Sequence, residues 1–137
     1  MRPLLLILFS LLLTVEAAQA GRDKYYGMKP DKLIAMGASY LSRGEVVNLL
    51  TGRTELWDTG GKAYYGAGGV LSLRFRDGVR AEGQWKVSGN GTMCTKVSAA
   101  IQGSNYCHRY IRYNGKVYYV WLGKVAVIQR TKSGKGF

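Results

Sequence analysis

The sequence predicts a mostly β domain, an antiparallel meander of about eight strands led by one short helix and preceded by a cleaved leader. Three observations predict it. From Thr54 onward apolar and polar residues alternate with a period of two. Glycines and the pairs Asp77-Gly78, Asn90-Gly91 and Asn114-Gly115 interrupt that alternation at the rhythm of a small all-β domain. The connections are too short for the crossovers that parallel strands need. A run of sequential strands closes or bends strongly to remove its edges, so a small up-and-down barrel or a strongly bent sheet is expected.

Residues 1–20 read as a secretory signal peptide. Arg2 supplies a positive charge, residues 4–15 are apolar apart from Ser10 and Thr14, and Ala18-Gln19-Ala20 is a small-x-small cleavage site. The apolar run falls short of the ~20 residues that span a bilayer. No cysteine lies near residue 20 and no arginine pair precedes the run, so Sec-type export is expected. The mature chain then starts at Gly21, has no transmembrane segment, and is a monomer of the periplasm or the exterior.

Residues 21–41 form a weakly patterned N-terminal lead, with a short helix possible near Asp31 and Gly37 weakening it. Ser42 and Glu45 have the spacing of a capping box, in which the hydroxyl takes one orphan amide and the carboxylate another. A helix over residues 43–51 follows, closed by Gly52, and at that length it holds only when docked. The single β domain spans residues 42–130. Its strands are expected at 54–58, 62–66, 70–76, 80–88, 92–98, 106–113, 116–122 and 124–130. In Asp77-Gly78 both positions tolerate positive φ, and Asn114-Gly115 is the cleanest two-residue hairpin. Trp57, Trp85, Tyr64 and Tyr65 are assigned to the core. Residues 131–137 are a polar tail expected to fray.

Export decides the reading of the two cysteines. In oxidising surroundings Cys94 and Cys107 form a disulfide, closing a loop worth about 3 kcal/mol in the chain-entropy model. The competing reading is a redox or metal pair helped by His108, but a disulfide withdraws both sulfurs. No metal and no cofactor are expected.

Several segments together resemble a known family. They are Leu41-Ser42-x-x-Glu45-Val46-x-x-Leu49-x-x-Gly52-Arg53-Thr54-x-x-Trp57, then Ala63-Tyr64-Tyr65-Gly66, Glu82-Gly83-Gln84-Trp85, Met93-Cys94 and Tyr106-Cys107. Over residues 41–121 the chain resembles the bacterial domain-of-unknown-function family 995, small exported proteins found mainly in alphaproteobacteria. Residues 21–40 and the last strand depart from that pattern. The resemblance implies export, one domain and the disulfide. The family carries no established activity, so it implies no catalytic residue.

Composition narrows the function classes. An apolar content of 47% excludes a disordered chain, the 19 glycines follow no triplet period, and two cysteines cannot build a four-cysteine zinc site. Acid–base chemistry would fall to Glu55, Asp58 and Glu82, since Glu45 belongs to a cap, Asp77 to a turn, and Asp23 and Asp31 to the lead. Glu55 and Glu82 would make a carboxylate pair only if their strands met. His108 has no Ser or Cys nucleophile in a recognisable context. Gly66-Ala67-Gly68-Gly69 lacks the following helix of a phosphate loop and reads as a turn. Asn90-Gly91-Thr92 matches a glycosylation acceptor and equally a turn. The expectation is a protein that is not an enzyme.

The charge is the strongest functional signal. Lys and Arg number 20 against 8 Asp and Glu, a net charge of +12 that removal of Arg2 and Glu16 leaves unchanged. Such a field attracts polyanions. Arg74, Arg76, Lys86 and Arg112 are candidate binding cations, and Tyr106, His108, Tyr110, Tyr119 and Trp121 the aromatic partners for sugars or stacked ligands. Export removes nucleic acid as the polyanion. The expected role is therefore envelope-associated binding of an anionic polymer or lipid, with an unidentified protein partner as the other possibility. The alternative is a secreted hydrolase inhibitor that inserts residues 21–26 into a cleft, a comparison resting on fold analogy.

Overall fold

The computed structural model describes residues 23–57, 59–97, 105–128 and 130–137. The predicted leader, Gly21, Asp58 and the loop over residues 98–104 lie outside the described residues. Among the described residues no helix is long and apolar enough to cross a membrane.

The predicted meander is present. Its strands are β2 (Arg53–Leu56), β3 (Lys62–Tyr65), β4 (Val70–Arg74), β5 (Arg80–Val87), β6 (Met93–Val97), β7 (Cys107–Tyr113), β8 (Lys116–Trp121) and β9 (Lys124–Ile128). Two strands were not expected, β1 (Ser39–Tyr40) and β10 (Arg130–Ser133). All pair antiparallel in one curled, half-barrel sheet of order β10-β2-β3-β4-β5-β6-β7-β8-β9, with β1 added to β7.

The polar tail does not fray. β9 lies against β8 while β10, starting two residues after β9 ends, lies against β2 at the other end of the strand order. One run of chain therefore holds both ends of the sheet together. The tail orders because it satisfies the open edge of β2. Gly134 donates its amide to the Gly52 carbonyl at 2.8 Å, and the Thr54 hydroxyl donates to the Gly134 carbonyl at 2.7 Å.

Turn chemistry follows local sequence. Asn114 and Gly115 take φ of 48° and 73°, the two-residue turn whose twist suits a hairpin. At Asp77-Gly78 only Gly78 has positive φ, because Phe75 and Val79 close a loop one residue longer. Leu122 and Gly123 form a second two-residue turn, with Leu122 at φ 48° and 85% exposed. Ala67–Gly69 is a short 3-10 turn between β3 and β4, not a phosphate cradle.

Both predicted helices form. α1 (Pro30–Ala35) starts on Pro30, whose fixed φ suits a first helical turn. α2 (Arg43–Leu50) carries both hydrogen bonds of the capping box, Glu45 N–H to Ser42 Oγ at 3.3 Å and Ser42 N–H to Glu45 Oε2 at 2.8 Å. It docks through Val46 and Leu50 against the inner face of the sheet, among Ala63, Tyr65, Leu71, Leu73, Trp85 and Met93. Arg43 Nε donates to the Val87 carbonyl at 3.2 Å and ties the helix to the end of β5.

A second core lies on the outer face of β7, β8 and β9. There the lead supplies Tyr25, Leu33 and Ala38 to cover Ile111, Tyr118 and Val125. The lead is thus a structural cover, and Tyr25 is unavailable for insertion into another protein's cleft. The β6–β7 ladder is only two register pairs, Met93 with His108 and Cys94 with Cys107. The Cys94–Cys107 disulfide staples this short seam.

Leu122 holds a left-handed backbone that a branched apolar side chain tolerates poorly, and its exposure leaves little packing to lose. Replacing Leu122 with Asn should raise unfolding free energy by about 1 kcal/mol in urea titration. An unchanged or lowered midpoint would mean that Leu122 makes contacts that offset its strain.

Candidate functional site

The aromatic strand face predicted as a binding patch is turned inward. Register places Tyr106, His108 and Tyr110 of the β7 region beside Met93 and Thr95, and pairs Tyr110 with Tyr119. The rings meet closely. Tyr106 stacks on His108 at 5.6 Å, Trp121 meets Tyr106 edge-on at 5.2 Å, and Tyr119 and Tyr110 lie 5.3 and 5.0 Å from His108. His108 and Tyr110 are buried, Tyr106 and Tyr119 are partly exposed, and Trp121 is the most exposed of the five at 37%.

Inside the curl a chain of hydrogen bonds crosses from β7 to β2. Glu55 is only 2% exposed. Its Oε2 accepts from the Tyr110 hydroxyl at 2.9 Å and its Oε1 accepts from Trp57 Nε1–H at 3.0 Å. With that proton committed, the Tyr110 oxygen accepts from His108 Nε2 at 3.0 Å. The network thus assigns the imidazole proton to Nε2 and leaves Nδ1 a bare acceptor, which is buried without a partner. Burial holds the His108 pKa down to about 4, because a charged ring there would carry a second, unsatisfied N–H. The Tyr110 and Tyr65 hydroxyls are pushed well above the ordinary tyrosine range, first by burial and then by the Glu55 charge. Tyr106 is raised for the same two reasons.

The carboxylate pair does not form. Glu55 lines up with Ala63, Leu73 and Ala81 on the inner face, whereas Glu82 lines up with Ser72 and Tyr64 on the outer face. Glu82 Oε2 accepts from the Ser72 hydroxyl at 2.8 Å. Through the ladder Glu55 lies in line with Ala81, the neighbour of Glu82 on β5, so the two carboxylates point to opposite sides of the pleat. Among the described residues no cluster of His, Cys, Asp and Glu could hold a metal.

The predicted cations go elsewhere. Arg112 reaches over the capping box and pairs with Glu45 at 2.7 Å. The Glu45 carboxyl is held near pKa 2, first by the Ser42 amide and then by Arg112. Arg74 and Lys86 stand on the outer face, and Arg76 sits in the β4–β5 turn. The basic and aromatic candidates therefore do not form one patch.

What sequence reasoning missed is a line of cations. Lys62 pairs across to Arg74, and Arg74 to Arg80, so three cations stand side by side on β3, β4 and β5. Leu56 pairs with Lys62 on one side and Arg130 on the other, extending the same row to β10. Neighbouring strands lie about 4.8 Å apart, so these like charges repel. Among the described residues none of the three central cations has a carboxylate partner, the ion pair there being Arg112 with Glu45. The turn at Gly78 was a signal for Arg74 opposite Arg80. Nothing in the sequence gave the register of Lys62.

On the inner side, past the ends of these strands, lies a cup. Trp57, Thr59, Gly61, Phe75, Arg76 and Asp77 line an open pocket of about 690 Å³ where β2 and β4 finish. Trp57 and Phe75 face it with ring centroids 6.2 Å apart and planes tilted by 50°.

Two measurements test the buried chain. Glu55→Leu strands the buried Tyr110 hydroxyl and the half-buried Trp57 indole N–H and should lower unfolding free energy by about 3 kcal/mol, with a shift in tryptophan emission. His108 has a folded pKa of about 4, below its ordinary 6.5, so the unfolded state binds the proton first. Its contribution is complete above pH 6.5 and is lost as pH falls toward 4, amounting to about 3 kcal/mol. His108→Gln should lack this component, so parallel pH profiles for variant and wild type would contradict the assignment.

No curated protein and no solved structure matches the chain. A family model described as a protein of unknown function, DUF995, matches residues 10–124. The match is broader than the motif resemblance, because it takes in the lead that covers the second core, and it stops where β9 begins. With most of its length matched, the chain belongs to the DUF995 family.

Proposed function

We propose that the protein is exported and acts without catalysis, binding an anionic envelope polymer or lipid through the outer face of β10 and β2–β5. The observation that carries this reading is the row Lys62, Arg74 and Arg80, with Arg130 beyond it. Lined-up cations without carboxylate partners oppose folding, so a bound polyanion is what would offset their repulsion. Lys86, Lys96 and Lys132 stand exposed on the same face, where Glu82 is the acidic residue. The disulfide supports an oxidising compartment, periplasmic or extracellular. A binding role is also supported by Glu55, whose two oxygens already accept hydrogen bonds from Trp57 and Tyr110. The inhibitor reading loses its inserting segment, because Tyr25 is part of a core.

The test is binding to lipopolysaccharide and to acidic glycans at low and high salt. Affinity should fall steeply with salt. The triple variant Lys62→Ser, Arg74→Ser, Arg80→Ser should bind about tenfold or more weakly while unfolding at equal or higher denaturant. Wild-type binding that is absent at low salt, or that the triple variant retains, would remove this face from the function.

A further inference from the structure

We infer that the β8–β9 hairpin is a membrane-contact site, whose tip residue Leu122 enters the interface of an anionic phospholipid bilayer with Trp121 and Lys124 at the headgroups. The inference goes beyond the outer-face reading and stands apart from it, because the hairpin belongs to strands that do not carry the cation row.

The tip works against the fold. Leu122 and Gly123 join β8 to β9 with φ of 48° and 72°. A turn with positive φ at both central residues is ordinarily made by Asn, Asp or Gly, as Asn114-Gly115 makes it one hairpin earlier. A leucine in this turn is strained, and at 85% exposure it recovers little by packing. Among the described residues it is the most exposed large apolar side chain. Strain and exposed apolar area at one residue point to a contact made outside the chain. The neighbours of the tip are ordered. Trp121 pairs with Lys124 at the base of the turn, and its ring is held edge-on by Tyr106 at 5.2 Å, which leaves it at the rim. Gly27 donates its amide to the Val125 carbonyl at 2.8 Å and so brings the exposed Tyr26 next to the start of β9.

The chemistry of the tip selects a bilayer. A leucine at the apex, a tryptophan and a tyrosine behind it, and lysines beside them are the groups that partition in that order across a membrane interface. Lys124 and Lys24 are both exposed, at the base of the turn and two residues before Tyr26. Asp23, the acidic residue beside Lys24, already accepts the Tyr25 amide at 3.1 Å through Oδ1. The chain as a whole carries a net charge of +12, which draws it to an anionic surface. The lysines then meet lipid phosphates as Leu122 leaves water. An acidic polymer would take the lysines and offer Leu122 nothing. A folded protein partner would need a wider apolar surface than one leucine and the edge of one ring. A fluid bilayer moulds itself to a narrow tip.

The test uses the full mature chain and vesicles of phosphatidylcholine, alone or in equal parts with phosphatidylglycerol, with flotation and tryptophan fluorescence at low salt. Wild type should float with the anionic vesicles, and bromine placed in the lipid acyl chains should quench part of its tryptophan emission. Trp121→Phe should still float yet lose that quenching, which assigns it to the hairpin because Trp85 is buried. Leu122→Asn relieves the strained turn and so stays folded, as urea titration will register, but should bind about tenfold more weakly. Lys124→Gln should weaken binding by about fivefold and leave the quenching at saturating lipid unchanged. If wild type ignores the anionic vesicles, or if Leu122→Asn binds them as tightly, the tip makes no bilayer contact and the inference falls. If quenching persists in Trp121→Phe, another surface enters the bilayer and the hairpin assignment is wrong. If wild type is a dimer in gel filtration that Leu122→Asn dissolves, the tip is a contact between copies and the membrane reading is overturned.

Discussion

The buried carboxylate of Glu55 is the interaction on which the rest of the arrangement depends. A carboxylate at 2% exposure is costly unless its oxygens are satisfied. Here one oxygen takes the Trp57 indole N–H and the other the Tyr110 hydroxyl. Those two residues come from opposite sides of the curled sheet, so the carboxylate works as a polar cross-tie inside the curl. It sets the direction of the Tyr110 proton, hence the tautomer of His108, and at its other end the orientation of Trp57. Its negative charge and the burial around it also keep Tyr65, Tyr106 and Tyr110 protonated.

Closure of the sheet is the second constraint. A curled sheet exposes two edges, and both would invite pairing with other chains. The chain answers with one segment that leaves β8 as β9 and joins β2 as β10. The short seam between β6 and β7 carries the disulfide. The lead and α2 then cover opposite faces of the sheet, one outside β7–β9 and one inside. What stays uncovered is the outer face that bears the aligned cations. Stability is concentrated in the ties and covers, and repulsion is tolerated on the face left free.

The candidate site was less legible than the fold. The charge could be counted, but its alignment depends on which residues face one another across strands. Lys62 and Arg74 are far enough apart in sequence that only their shared register makes them neighbours. The aromatic face of β7 was visible as an alternation, yet its side was misread. Both faces of β7 and β8 are covered, the inner by the main core and the outer by the lead, so both look apolar in sequence. With no polar face to mark the outside, Tyr106, His108 and Tyr110 could be placed on either.

By itself the sequence determined what is local: the period of two along the strands, the capping box at Ser42 and Glu45, the hairpin at Asn114-Gly115, and the disulfide once export was inferred. These follow from contacts between residues near one another in the chain, or from chemistry that needs no geometry. Only the tertiary structure decided that the polar tail is a strand, that the lead is a cover, that Glu55 and Glu82 lie on opposite faces, and that three cations stand in line. Each of those depends on curl and register. Register is a property of pairs of strands, set by the packing of the whole interior, and a one-residue change in it would move every side chain to the other face.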